Sequence, residues 1–256
     1  MKKTLFILLL LFGGYAMQSQ VLISLLLGNK LNSDKIEFGL EGGMNFSSIF
    51  NMDSKKYAND WNLGFYFIYQ IKNNWYINTG VLVKAKLGVG GLTQNDLDFL
   101  GVKFPDSSLR DGGEYYQKTN TFLVPMMVRY MFKNRIYVEG GLQAGLRYKS
   151  WVEYDYKSKE EKINLRQYNK DKTNALDVGA LVGAGYRLNK KRTGMTVGVK
   201  YYYGFVNVFK GVPGTKNSSF FVKLNIPIGA GERAQKKREE AAKKRAAKKA
   251  EKEKKN

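Results

Sequence analysis

The sequence predicts an all-β fold, an eight-stranded antiparallel up-and-down barrel, from three observations. Eight segments alternate between apolar and polar residues, and most of them are ten or more residues long. Tight polar turns alternate with long connections between these segments. The polar positions are mostly Gly, Asn, Thr and Gln with few charges, which suits a narrow barrel interior where opposite walls approach closely. Together these features are typical of the smallest membrane-spanning barrels.

The first segment, KIEFGLEGGMNF, shows the pattern: Ile36, Phe38 and Leu40 share one face, and Glu37 and Glu41 the other. The same period of two recurs in residues 62–72, 75–87, 121–132, 136–148, 176–188, 195–205 and 219–228. Short turns are predicted near residues 72–74, 133–135 and 189–194, and longer joins around residues 51–60, 88–118, 149–174 and 210–217. One rim therefore carries tight turns and the other carries long loops.

Alternation alone fits two kinds of barrel. A soluble, lipocalin-like periplasmic carrier would turn its apolar face inward, whereas an outer-membrane barrel turns that face toward lipid. A solvated exterior would be crowded with Lys and Glu, and these polar faces are not. The apolar faces carry no charge, and aromatic residues gather toward their ends as in an interfacial girdle. The pattern favours the membrane protein, with outer-membrane lipid as its surroundings, and leaves the carrier as the alternative.

The first twenty residues, MKKTLFILLLLFGGYAMQSQ, have the charged start, short apolar core and small or polar exit of a signal peptide. We expect cleavage between Ala16 and Gln20. The predicted organisation is a signal peptide at 1–20, a short periplasmic segment at 21–34, the barrel at 35–229 and a basic tail at 230–256. An even strand number places both barrel ends on one side, and the short turns mark that side as periplasmic.

The tail holds a third of the net charge of +21, because twelve Lys or Arg oppose five Glu from Glu232 onward. With export predicted, nucleic acid is not an expected partner. Peptidoglycan, anionic phospholipid headgroups or an acidic periplasmic protein are expected instead, through charge attraction that salt would weaken. A solvated tail with no specific partner is the alternative. The residues expected to make the contacts are Lys236, Lys237, Arg238, Lys243, Lys244, Arg245, Lys248 and Lys249.

The segment KIEFGLEGGMNFSSI, the Pro-containing strand FLVPMMVRYMF and the closing FVKLNIPI resemble the PorT-like outer-membrane β-barrel proteins. The resemblance covers roughly residues 21–229 and implies a small eight-stranded barrel in the outer membrane. A founding member of that family is associated with a protein-secretion apparatus. The basic tail is not part of the shared pattern.

The chain contains no His and no Cys, which removes the commonest general base, the commonest zinc ligand and thiol chemistry. We therefore predict a non-enzymatic protein without a cofactor or a structural metal. Acidic residues of the loop at 88–118, such as Asp96 and Asp98, leave calcium binding as a minor alternative.

The expected site is the barrel interior, either a packed polar core or an ion-conducting or substrate-binding lumen. Eight strands leave a space just wide enough for side chains to fill, which favours the packed core. An excess of basic over acidic groups would allow a preference for small anions. The charged residues predicted to face inward are Glu37, Glu41, Lys84, Lys86, Arg129, Glu139, Arg147, Asp177, Arg187, Lys200 and Lys223.

Overall fold

The computed structural model describes residues 32–33, 35–105, 109–190 and 193–228. The predicted signal peptide and basic tail lie outside these residues. The described chain forms nine strands: β1 (Ile36–Ile49), β2 (Lys56–Lys72), β3 (Trp75–Gly90), β4 (Glu114–Met131), β5 (Ile136–Lys157), β6 (Lys162–Tyr168), β7 (Leu176–Arg187), β8 (Thr196–Asn207) and β9 (Lys216–Pro227). One α-helix, α1 (Gln94–Leu100), and a 3₁₀ turn at Lys170–Lys172 lie in the connections.

Eight of the strands close into a barrel, which confirms the predicted fold class. Each pairs antiparallel with its neighbours in the order β1-β2-β3-β4-β5-β7-β8-β9. The ring closes where β1 pairs with β9, with Gly39 opposite Pro227 and Ile49 opposite Asn217. Closure leaves no open edge within the ring, so the backbone hydrogen bonds are satisfied between strands.

The ninth strand, β6, is a difference from the prediction. It pairs with the far half of β5, from Trp151 opposite Tyr168 to Lys157 opposite Lys162. The join predicted at 149–174 is therefore largely a hairpin, and β4 likewise begins at Glu114 rather than Thr121. These extensions mix polar and aromatic residues on both faces, so the regular apolar alternation stops before the strands do.

The two rims differ as predicted. Two residues join β2 to β3 and four join β4 to β5, whereas α1 and β6 stand at the opposite rim. The start of β1 and the end of β9 lie at the short-turn rim. An apolar cluster from three connections and from strands β1, β3 and β5, which we call the outer cap, closes the long-loop rim. Its buried residues are Ile49, Met52, Val89, Leu92, Leu97, Leu100, Val102, Val152, Val208 and Phe209.

Apolar side chains cover the outside of the barrel, whereas its interior holds polar and charged side chains together with apolar ones such as Leu123 and Leu181. Val124, Met126 and Val128 of β4 are exposed, whereas Arg129 between Val128 and Tyr130 is fully buried. Aromatic side chains mark the short-turn end of the exterior, where the rings of Trp75 and Tyr130 lie 4.9 Å apart. In the four described ranges, no helix is long and apolar enough to cross a membrane.

Candidate functional site: the barrel interior

The centre of the barrel holds six charged side chains that we call the interior ion network: Glu37, Glu41, Arg129, Glu139, Lys200 and Lys223. They come from β1, β4, β5, β8 and β9, and all six are buried. Three are carboxylates and three are cations, so the network is neutral. Neutrality matters here because an uncompensated charge in a dry interior costs several kcal/mol.

The shortest ion pair within this network joins two directly opposed residues of β4 and β5. Arg129 stands opposite Glu139 in the register, and Arg129 Nε lies 2.7 Å from Glu139 Oε2. Both side chains have no exposed surface. Asn78 Nδ2 donates a second hydrogen bond of 2.8 Å to the same oxygen. The Arg129 guanidinium also lies 3.9 Å from the centre of the Tyr137 ring, which adds a cation–π contact.

Two lysines connect this pair to the opposite wall. Lys200 Nζ lies 3.6 Å from Glu139 Oε1 and 3.2 Å from Glu41 Oε2. Lys223 Nζ lies 3.1 Å from Glu41 Oε1 and donates a hydrogen bond to Asn62 Oδ1. On β1, Glu37 Oε1 accepts a hydrogen bond of 2.8 Å from the Tyr66 hydroxyl. The contacts therefore run across the lumen from wall to wall.

A second buried ion pair lies nearer the outer cap. Arg147 Nη2 is 3.0 Å from Asp177 Oδ2, and Asn217 Nδ2 donates to the same oxygen at 2.6 Å. Arg147 Nη1 also donates to the carbonyls of Asn174 and Leu176. This site ties the middle of β5 to the start of β7. Arg187 is likewise buried, at the end of β7.

Lys84 and Lys86 lie elsewhere than the sequence predicts. A register shift in β3 between Leu82 and Ala85 reverses the alternation, so that Ala85 and Leu87 join the buried interior. Lys84 is exposed on the outer wall. The Lys86 side chain is partly exposed, at 31%, and its Nζ lies 2.9 Å from Asp60 Oδ2. Without these two lysines, the predicted excess of interior cations shrinks to Arg187, which removes most of the argument for an anion preference.

Sequence reasoning missed several residues that complete the interior. Asn62, Tyr66 and Asn78 hold the carboxylates and lysines by hydrogen bonds. All three stand at polar-face positions of the alternation, which is a signal that could have found them. Asn217 is also missed, because it precedes the apolar alternation of the last predicted segment.

The acidic loop has a local structural role. Asp96 accepts hydrogen bonds from the backbone amides of Asp53, Ser54 and Thr93, and it forms a capping box with Thr93 at the start of α1. Among the residues that the structure describes, no cluster of three or more acidic side chains could hold a metal ion.

A closed barrel with a lipid-compatible exterior and a polar interior defines an integral outer-membrane protein. Residues 18–210 match the family described as "Outer membrane protein beta-barrel domain", and the chain belongs to that family. The soluble-carrier alternative is therefore wrong, since the apolar face points outward. No curated protein matches the chain.

Solved structures similar to the chain include three small barrels. Ail of Yersinia pestis, solved with the heparin analogue sucrose octasulfate, is 14% identical with a TM-score of 0.39, over 75% of this chain and 97% of that one. Neisserial surface protein A is 9% identical with a TM-score of 0.37, over 74% and 96%. OprG of Pseudomonas aeruginosa is 14% identical with a TM-score of 0.30, over 75% and 93%.

Proposed function

We propose that this protein is a non-enzymatic barrel with a closed lumen that acts in the structure or interactions of the cell envelope. One observation carries the proposal: the neutral interior ion network joins opposite walls through side chains that are almost completely buried. Eight strands leave little more room than such side chains occupy. The chain also contains no His and no Cys, which many enzymes use as general base or nucleophile.

The outer cap supports the same proposal. Leu97 and Leu100 of α1 pack with Val152 and Phe209 over the long-loop rim. The rings of Phe99 and Phe209 lie 5.8 Å apart in an edge-to-face arrangement. Apolar closure of this kind at one end opposes the passage of ions, because an ion would lose its hydration there.

Conductance in planar bilayers tests the closed lumen. We expect no steady current from the purified full-length protein, after a heat-dependent gel shift has shown that it is folded. A variant with both Arg129→Ala and Glu139→Ala keeps the network neutral while it removes two large interior side chains. It is expected to raise the frequency of brief openings. A steady open current from the unmodified protein contradicts the proposal.

A narrow channel is the second candidate, favoured by one specific feature. Several buried polar atoms make no hydrogen bond within the described residues, among them both terminal nitrogens of Arg129, Arg147 Nε and Asp177 Oδ1. Such atoms suit a path for water or small ions. The bilayer measurement separates the two candidates, because only the channel predicts a steady current.

We further propose that both ends of the barrel face the periplasm and that the basic tail tethers the barrel to peptidoglycan or to an acidic periplasmic protein. The position of β1 and β9 at the short-turn rim supports this orientation, and the charge of the tail supports the partner class. Sedimentation with purified peptidoglycan tests the tether. Full-length protein should co-sediment at low salt and lose binding at high salt, whereas protein lacking residues 232–256 should not co-sediment. Equal sedimentation of the two forms contradicts the tether.

We propose in addition that the chain is a PorT-like protein and, as such, a component of a protein-secretion or transport apparatus. It rests on the resemblance of residues 21–229 described above. Crosslinking in intact cells followed by a pull-down, with and without residues 232–256, tests that role. Recovery of the same secretion components with both forms would assign the contact to the barrel, and recovery of none would contradict the secretion role.

A further inference from the structure

An apolar groove runs across the outer wall where β9, β1, β2 and β3 lie side by side. It encloses about 480 Å³. Leu40, Leu63, Leu224 and Ile226 supply apolar walls, and Gly42 leaves the floor open because it has no side chain. Trp61 and Lys84 lie at the end of the groove farther from the short-turn rim, and Gly43 and Asn62 complete the lining.

A break in the β2–β3 ladder accounts for the groove. Pairing stops between Tyr57 opposite Val89 and Leu63 opposite Lys84, and the register shifts at both ends of the break. Side chains near such an irregularity turn away from the regular face. Trp61 stands on the outward face of β2 beside Leu63 and projects with 64% of its surface exposed.

Lys84 is a cation on a wall that otherwise faces lipid. It is exposed, and within the described residues it makes no hydrogen bond or ion pair. Leu63, its partner in the register, and the nearby Val81 are exposed apolar side chains. A lipid-facing lysine is costly at the membrane centre and tolerated only near an interface.

The height of Lys84 places it near the outer interface. It follows Trp75, whose ring belongs to the short-turn aromatic end, by nine residues of β3. At about 3.3 Å per residue and a strand tilt of about 40°, this distance is about 23 Å along the barrel axis. The apolar band of such barrels is about 25 Å tall. Ile226, one residue before the end of β9, lies toward the opposite side of the membrane.

We propose that this groove binds one phosphorylated lipid of the outer leaflet. Its phosphate pairs with the Lys84 ammonium, and one acyl chain lies over Gly42 between Leu63 and Leu224. The charge and the aromatic side chain lie together at the long-loop end of the apolar trough, which suits a lipid whose headgroup is held at the interface and whose chain runs into the membrane. This inference rests on the proposed orientation of the barrel, with the long-loop rim outside the cell, and is independent of the lumen and of the tail.

Two substitutions separate the charge from the trough. Lys84→Gln removes the cation, and Lys149→Gln, at another exposed lysine on β5, is its matched control. Gly42→Leu fills the trough, and the fold should tolerate it because a Cβ there meets no atom nearer than 3.6 Å. Gly140→Leu on β5 is its control, with the nearest atom 4.0 Å from a Cβ.

Native mass spectrometry of the full chain in detergent measures the binding of dioleoyl phosphatidylglycerol, dioleoyl phosphatidylcholine and inorganic phosphate. We expect one tightly held phosphatidylglycerol, which millimolar phosphate does not displace. Lys84→Gln should weaken its binding about fivefold and bring it close to that of phosphatidylcholine. Gly42→Leu should weaken both lipids, and the two controls neither. The proposal fails if either variant binds like its control. Displacement of the lipid by phosphate also overturns it, because the site would then be a simple anion site.

Discussion

The Arg129–Glu139 pair gives the sharpest test of a dry, closed interior. Arg129→Met keeps most of the side-chain volume and removes the charge opposite a carboxylate that has no exposed surface. The network then holds three carboxylates against Lys200 and Lys223. Glu139 keeps the hydrogen bond from Asn78 and the ammonium of Lys200 at 3.6 Å.

The magnitude follows from these distances. At 2.7 Å the pair attracts with roughly 6 kcal/mol at an effective dielectric constant of 20. Part of that attraction offsets the cost of burying the two charges, and removing one partner of a buried pair typically costs about 3–5 kcal/mol. Because Lys200 still neutralises part of the Glu139 charge, we expect the lower end, about 3 kcal/mol of unfolding free energy.

Urea unfolding in lipid vesicles, followed by tryptophan fluorescence, measures this loss. Lys56→Met is the control, since Lys56 pairs with Glu114 where the two side chains are 65% and 41% exposed. It should change stability by under about 1 kcal/mol. The double variant Arg129→Met with Glu139→Gln should recover at least about 1.5 kcal/mol, because no buried charge is left unpaired. A loss under about 1 kcal/mol for Arg129→Met alone would refute the dry interior, since water would then solvate Glu139.

Three further outcomes are expected. Gly198→Ala should destabilise the barrel by about 1–3 kcal/mol in the same urea assay, because its Cβ would overlap the buried Tyr137 hydroxyl. Adding Tyr137→Leu should restore part of the lost stability, and a double variant as unstable as Gly198→Ala would contradict this cause. Burial alone would raise the pKa of Glu153, but hydrogen bonds from Lys118 and Trp151 and the charges of Lys118 and of Arg166 on β6 lower that pKa to about 2. Its stabilisation of the β5–β6 hairpin is therefore complete above pH of about 4.5 and lost as the pH falls toward 2. Amide hydrogen exchange of β6 should accelerate in that pH range in the unmodified protein and show no such step in Glu153→Gln. The same step in the two proteins would refute the role of Glu153. Thr93→Ala should cost α1 about 1 kcal/mol of capping and speed proteolysis within residues 92–105, with an unchanged cleavage rate as the contrary result.

The sequence predicts which residues point into the barrel but not which of them form ion pairs. The alternation around Arg129 and Glu139 predicts that both side chains point inward, because neighbouring Val128 and Val138 must face lipid. That Arg129 lies opposite Glu139 depends on the register of β4 against β5, which alternation leaves free by steps of two residues. The partners Lys200 and Lys223 arrive from strands far along the chain, so only closure of the ring brings them to Glu41.

The sequence by itself determined the fold class, the lipid-facing side of the strands wherever their alternation is regular, and the difference between the rims, because these follow from a period of two and from connection lengths. The tertiary structure decided the ion pairs, the outer cap and the position of Lys84. A single register shift in β3 moves that lysine from the predicted lumen to the outer wall. Such a shift is a local balance of pairing and packing between neighbouring strands, and no pattern within β3 alone records it.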